Sequence, residues 1–251
     1  MMTVTDYDQH VKEAGELLDR GNRPAAKRML GDAINKDPER FEAHQLLGIA
    51  LRLDGPAHYG EADKSFVTAT EKSIGANLAR VKRDRGQLMM DWGLHAGDPS
   101  KLRLAEQLFI DSATLLSAAA KTAKSAQDKL NLDHEYQATR SFHGLLKCEQ
   151  GDVRTGRAWL REAVGALHGH SPYELNAMVR LLKVEATPQR LAMAMHAAGL
   201  ALSSKNPERM LEVPVLVLGG AGLHERVKPL AQRAIPIIRK ALKHAQRDSK
   251  A

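Results

Sequence analysis

The sequence predicts an all-α protein built from repeated helical hairpins. Ala and Leu are abundant, whereas aromatic residues make up only 4% of the 251 residues. A β-rich protein would normally carry more β-branched and aromatic residues. The second observation is an internal period, because Gly21 and Gly55 are 34 residues apart, as are Ala14 and Gly48. A period of this length is typical of helical repeats, in which each hairpin stacks on its neighbours.

The first hairpin is expected over residues 7–38. Gly21 would form its turn, and Asp37-Pro38 would end its second helix, because the residue before a proline avoids helical geometry. The inner faces of the two helices would carry Ala14, Leu17, Ala26, Leu30 and Ala33.

The second hairpin is expected over residues 41–69, with a turn around Gly55-Pro56. Gly48 follows a core leucine, Leu47, and would let another helix approach closely. Ala62, Phe66 and Ala69 have the spacing of one helix face.

The third hairpin is less regular, since its turn at Gly97-Asp98-Pro99 lies 42 residues after Gly55. Its first helix is expected over residues 77–96. Its second helix starts near Ser100 and should run to about residue 130, because no Gly or Pro lies between residues 100 and 136. Its core positions are Ala105, Leu108, Phe109 and Ser112.

The fourth hairpin regains the pattern, with its turn at Gly151-Asp152 and core positions at Gly144, Leu145, Gly156, Leu160 and Ala163. A fifth pair is expected over residues 172–184 and 188–203, and a final pair over residues 208–218 and 223–247. Residues 213–222, VPVLVLGGAG, fit a buried helix ending in glycines. The alternative is a strand that enters a phosphate-binding loop, but the full phosphate-loop pattern is absent.

These hairpins resemble the tetratricopeptide repeat. The family places small residues at the eighth, twentieth and twenty-seventh positions and a large apolar residue at the twenty-fourth. The matching residues are Ala14, Ala26, Ala33 and Leu30 in the first unit and Gly48, Ala62, Ala69 and Phe66 in the second, after a two-residue insertion around residues 57–60. The resemblance implies a right-handed α-solenoid of about six antiparallel hairpins. The expected organisation is an N-terminal extension over residues 1–6, repeats over residues 7–204 and a C-terminal helical pair over residues 205–251.

The resemblance also implies a concave groove, lined by the first helix of each hairpin, that receives a peptide or helix of a partner protein. The expected function is therefore a non-catalytic scaffold or adaptor. Family members that clamp a C-terminal carboxylate use Lys, Asn and Arg at such positions, and here only Arg52 resembles that set. The projected groove residues are Gln45, Ile49, Arg52, Gln87, Asp91, Leu94, Ser141 and Leu145, with Cys148 at the end of the last row.

The net charge of +7 is concentrated near the C-terminus, where residues 224–251 carry eight Lys or Arg and two acidic residues. The default interpretation of residues 223–247 is a capping helix with a polar outer face. The alternative is a surface for nucleic acid or another acidic partner, although the segment has no aromatic residue for base stacking. Its candidate anion-binding residues are Arg226, Lys228, Arg233, Arg239, Lys240, Lys243 and Arg247.

Catalytic and cofactor motifs are absent from the sequence, so we expect no enzyme, no cofactor and no metal site; a non-catalytic subunit of an enzyme complex stays open. His134, His143, His168 and His170 lack metal-ligand spacing, and Cys148 lacks a cysteine-hydrolase signature. Glu106 with Asp111, and the basic cluster of residues 80–85, are expected to be solvated helix faces.

A cytoplasmic protein is expected. A single cysteine excludes an intramolecular disulfide, and the first residues lack a signal-peptide core. The longest strongly apolar run is too short to span a membrane.

Overall fold

The computed structural model describes residues 6–169 and 173–184. Within these ranges the chain forms nine α-helices and no strand. The helices are α1 (Asp6–Asp19), α2 (Arg23–Lys36), α3 (Phe41–Asp54), α4 (Tyr59–Glu71), α5 (Gly75–Ala96), α6 (Pro99–Lys121), α7 (Ala126–Glu149), α8 (Val153–Ala166) and α9 (Tyr173–Val184), with a short 3-10 turn at Pro56–His58. The predicted all-α class is confirmed. The predicted elements at residues 188–203, 208–218, 213–222 and 223–247 lie outside the described residues.

The chain divides into two compact units, Met1–Leu146 and Lys147–Ala251, with the boundary inside α7. In the first unit, α1 packs on α2, α3 on α4 and α5 on α6, so consecutive helices form hairpins. The first helices of neighbouring hairpins also meet, α1 with α3 and α3 with α5. This pattern is the stacking of helical repeats.

The first hairpin follows the sequence pattern closely. Its turn contains Gly21 at φ 74°, a conformation that glycine adopts without steric cost. The Asn22 side chain then accepts a hydrogen bond from a backbone N–H in the first turn of α2. Of the predicted inner-face residues, Leu17 is half-buried, and the others are fully buried: Ala14, Ala26, Leu30 and Ala33.

Tyr7 joins the first hairpin to the second. The N-cap residue of α3 makes no side-chain cap, and the Tyr7 hydroxyl instead accepts the Ala43 N–H at 3.0 Å. The Arg40 guanidinium lies 4.1 Å from the centroid of the Tyr7 ring. Burial raises the pKa of Tyr7 to about 12, although the hydrogen bond from Ala43 lowers it in part. One side chain of the first hairpin therefore caps the first helix of the next.

Glycine–phenylalanine contacts close the second and third hairpins. A Cβ on Gly48 would lie 2.9 Å from three atoms of the Phe66 ring, and a Cβ on Gly86 would lie 2.7 Å from the Phe109 ring. Both phenylalanines are fully buried. The close approach predicted at Gly48 is present, and it recurs one hairpin later.

The prediction of one long helix from Ser100 to about residue 130 is wrong. The helix α6 ends at Lys121, and α7 begins at Ala126. The break needs neither Gly nor Pro, because Ser125 caps the new helix: its hydroxyl accepts the Asp128 N–H at 3.0 Å and donates to the Asp128 carboxylate at 2.7 Å. Ser125 is therefore a side-chain N-cap that satisfies the N–H of the third residue of α7.

In the second unit, α8 packs on α9. The Asp152 side chain caps α8, and Gly156, Leu160 and Ala163 are buried as predicted. The Arg157 guanidinium donates to the Val184 carbonyl at 2.6 Å, which ties α8 to the end of α9.

Candidate functional site

Two of the predicted groove residues form polar contacts between α3 and α5. The Gln45 amide donates to Asp84 at 2.7 Å, and Arg52 donates to Asp91 at 2.7 Å. The two pairs are seven residues apart on each helix, so they lie about two helical turns apart along one seam. They fix the register between the two helices.

The other predicted residues of α3 and α5 supply an apolar and amide surface beside these pairs. Ile49 and Gln87 are half-buried. Leu94 is 42% exposed near the end of α5, and Leu53, which the prediction did not include, is 43% exposed near the end of α3. We call Gln45, Ile49, Arg52, Leu53, Gln87, Asp91 and Leu94 the α3–α5 surface.

The predicted groove residues of α7 do not join this surface. Ser141 is fully buried, and its hydroxyl donates to the Ala138 carbonyl of the same helix at 2.7 Å. Leu145 is also buried. Neither side chain is exposed to a partner in this structure, and a binding role for them stays a prediction. Cys148 is half-buried, and its thiol lies 3.9 Å from the Val153 carbonyl oxygen.

The basic cluster of residues 80–85 is not a solvated helix face, and that expectation is wrong. Arg80 and Arg83 both pair with Glu135 of α7, at 2.8 and 2.9 Å. Lys82 pairs with Asp111 of α6, and Arg85 pairs with Asp63 of α4. The cations of α5 therefore join it to three neighbouring helices.

Arg83 is the most enclosed of these cations, with a side chain only 16% exposed. Burial alone would lower the pKa of its guanidinium, but Asp84 and Glu135 raise it above its usual value. Asp84 accepts from both Arg83 and Gln45, so it connects the α3–α5 contact to the α5–α7 contact. Arg83, Asp84 and Glu135 form the part of the site that local sequence spacing did not indicate, because Glu135 is 52 residues from Arg83.

The charged groups in the contacts of α5 with α3 and α7 cancel one another. The cations are Arg52, Arg80 and Arg83, and the carboxylates are Asp84, Asp91 and Glu135. Each of these six groups is paired with another member of the set.

The described part of the chain shows no arrangement of side chains typical of a catalytic or metal site. No group of three or more His, Cys, Asp or Glu residues there could hold a metal ion. Glu106 lies 3.5 Å from His143, and Asp111 is paired with Lys82, so these carboxylates do not form a dyad. His168 bonds to the buried Glu174 at 2.9 Å.

The candidate anion-binding residues Arg226, Lys228, Arg233, Arg239, Lys240, Lys243 and Arg247, as well as His170, lie outside the described residues. Among the residues that are described, no helix combines the length and the apolar character that crossing a membrane requires.

No protein-family model matches the chain, and no curated protein sequence matches it. Among solved structures, the chain is similar to one from the functional characterization of Pseudomonas aeruginosa PilF, a tetratricopeptide-containing protein. The identity is 13%, the match covers 98% of each chain, and the TM-score is 0.52. At this identity the similarity concerns the fold alone. The predicted tetratricopeptide-like helical-repeat fold is confirmed.

Proposed function

We propose that the protein is a non-catalytic interaction scaffold that binds a peptide or helix of a partner protein on the α3–α5 surface. The observation that carries the proposal is the pair of contacts Gln45–Asp84 and Arg52–Asp91. They hold two first helices in one register, while Leu53, the neighbour of Arg52 in sequence, and Leu94, three residues beyond Asp91, remain exposed. A surface that is already ordered loses little conformational entropy on binding.

The charges of the surface indicate what kind of segment it suits. Arg52 and Asp91 already neutralise each other, so a charged partner residue would have to break an existing pair. Apolar side chains can instead contact Ile49, Leu53 and Leu94 without that cost. The partner segment is therefore an amphipathic helix or peptide that presents its apolar side. Its binding should depend only weakly on salt, because screening acts mainly on unpaired exposed charges.

The test compares two leucine-sized residues of equal exposure. Leu94→Ser removes an apolar contact of the α3–α5 surface, whereas Ile110→Ser changes a residue of α6 that is 43% exposed. Burying a fully exposed leucine stabilises a complex by about 1.5–3 kcal/mol. Because Leu94 is 42% exposed, its burial is worth about 0.6–1.3 kcal/mol, and Leu94→Ser should weaken binding by about threefold to eightfold. The readout is quantitative affinity purification of tagged protein from its own cells.

The proposal predicts partners that are retained by Ile110→Ser and depleted with Leu94→Ser. If both variants retain the same proteins in the same amounts, the α3–α5 surface is not the binding site. Thermal unfolding of both variants checks that the fold is intact.

The charge surplus of residues 224–251 favours a second candidate function, binding of nucleic acid or another acidic surface. Its affinity would fall steeply with salt because phosphate binding releases counterions. A chain truncated after Gly222 should then lose binding to a DNA duplex in a salt titration. Salt-independent binding, or binding unchanged by truncation, would rule this function out.

A further inference from the structure

A cleft of about 230 Å³ lies between α6 and α7, within the first unit. One wall is a stripe of α6, and the other is a stripe of α7 at positions three and four residues apart. The lining residues are Ser117, Ala120, Lys121, Lys129, Asp133 and Tyr136. The α6 wall has small side chains at Ser117 and Ala120, which leave the space between the helices unfilled. The volume of the cleft is enough for several water molecules, each of which occupies about 30 Å³ in the liquid.

Four hydrogen-bond donors face this space without a partner among the described residues. They are the ammonium groups of Lys121 and Lys129 and the hydroxyls of Ser117 and Tyr136. The half-buried cations of α5 differ, because all of them are paired with carboxylates. One turn deeper between the same two helices, the Ser112 hydroxyl donates to the Ala79 carbonyl at 2.7 Å, and the Thr139 hydroxyl donates to the Glu135 carbonyl at 3.0 Å. The interior hydroxyls therefore have protein acceptors, whereas Lys121 and Lys129 at the outer end are exposed and have no acceptor among the described residues.

We propose that this cleft binds a single carboxylate group between Lys121 and Lys129. The two ammonium groups and the two hydroxyls are donors, and a carboxylate is a group that only accepts. Two lysines and Asp133 give the lining a net charge of +1, which matches one monoanion better than a doubly charged phosphate. The carboxylate can belong to an acidic side chain of a protein segment or to a small free acid.

Asp133 supplies a prediction that a nonspecific basic patch would not make. Its carboxylate repels the bound anion, so Asp133→Asn should tighten binding by severalfold. Lys121→Met and Lys129→Met keep the aliphatic stem but remove the charge, and each should weaken binding by about fivefold, the scale of an exposed ion pair. Lys124→Met is the matched control, since Lys124 lies in the connection between α6 and α7, three residues from Lys121, but does not line the cleft.

The experiment titrates the full-length ¹⁵N-labelled protein with propionate, with the peptide acetyl-Ala-Glu-Ala-amide and with acetyl-Ala-Gln-Ala-amide. Amide shifts should change around residues 117, 121, 129 and 136 with a carboxylate probe and not with the glutamine peptide. If propionate binds and the glutamate peptide does not, the cleft is a site for small free acids. If the glutamate peptide binds more tightly than propionate, the cleft is a site for an acidic side chain of a protein segment.

The proposal is overturned if neither carboxylate probe shifts these residues, if the glutamine peptide acts equally, or if Lys124→Met weakens binding as much as Lys121→Met does. Unchanged thermal unfolding of the variants excludes loss of folding as the cause of lost binding, because lysine and methionine have similar helix propensities.

Discussion

Gly48→Ala tests whether the glycine–phenylalanine contact fixes the packing of the second hairpin. A Cβ at this position would meet three atoms of the Phe66 ring at 2.9 Å, whereas carbon atoms normally pack at about 3.5–4.0 Å. The ring would have to move by about 0.6 Å or more. Phe66 is fully buried, so any shift of the ring also moves the side chains that enclose it.

Two effects of opposite sign decide the result. Replacing an interior helical glycine by alanine stabilises a helix by about 1 kcal/mol. Adding a methyl group to a packed core costs about 1–3 kcal/mol, and three simultaneous close contacts favour the upper end of that range. We expect Gly48→Ala to lower the free energy of unfolding by about 2 kcal/mol.

Gly15→Ala is the matched control, because Gly15 lies inside α1 and a Cβ there would have nothing within 4 Å. This variant should be about 1 kcal/mol more stable than the wild type. The two alanine variants should then differ by about 3 kcal/mol, or roughly 6–12 °C in Tm for a chain of this size. Urea unfolding followed by circular dichroism at 222 nm measures the difference.

Phe66→Leu completes a double-mutant cycle. In that background the alanine at position 48 should cost much less, because the ring atoms that it would meet are gone. The packing argument is refuted if Gly48→Ala is as stable as Gly15→Ala, or if its cost is the same with leucine at position 66.

Three further variants test the polar contacts. Tyr7→Phe removes the acceptor of the Ala43 N–H and should cost about 1–2 kcal/mol at neutral pH. Because the folded-state pKa of Tyr7 is raised to about 12, its stabilising effect is fully present below pH 10 and is lost as the pH rises towards about 12. Urea unfolding should show this loss in the wild type and not in Tyr7→Phe. Burial alone would raise the pKa of Asp54, but the lysine and arginine of α2 that pair with it hold the pKa below its usual value. The stabilisation from these ion pairs is present above pH 4 and is lost as the pH falls through the folded-state pKa. Asp54→Asn should therefore flatten the acid limb of the plot of stability against pH. Arg83→Met leaves Asp84 without its guanidinium partner and Glu135 with Arg80 alone, and it should cost about 3 kcal/mol in the same assay. Arg103→Met, at an exposed position of α6, should change stability by less than about 0.5 kcal/mol. An unchanged Arg83→Met variant would show that the ion pairs of α5 are dispensable.

Packing within a hairpin could be predicted because it depends on short spacings. Gly48, Ala62 and Phe66 lie within nineteen positions of one another, and helical periodicity places them on facing surfaces. Their burial and the close approach at Gly48 follow from that pattern.

Contacts between hairpins could not be predicted in the same way. The cluster of residues 80–85 has the composition of a solvated helix face, and its partners are supplied by helices 22 to 55 residues away. The end of α6 was missed for another reason, because glycine and proline are the usual signals and here a serine cap starts the next helix. The pattern Ser125-x-x-Asp128 was the local signal that could have located it.

Site-specific photocrosslinking tests the central claim most directly. A photoreactive phenylalanine analogue is placed at position 94, on the α3–α5 surface, or at position 110, an equally exposed position of α6. The crosslinks formed in living cells are then identified by mass spectrometry. A partner-binding surface on α3 and α5 predicts a discrete protein adduct from position 94 that is absent from position 110. The same adducts from both positions, or none from position 94, would contradict it.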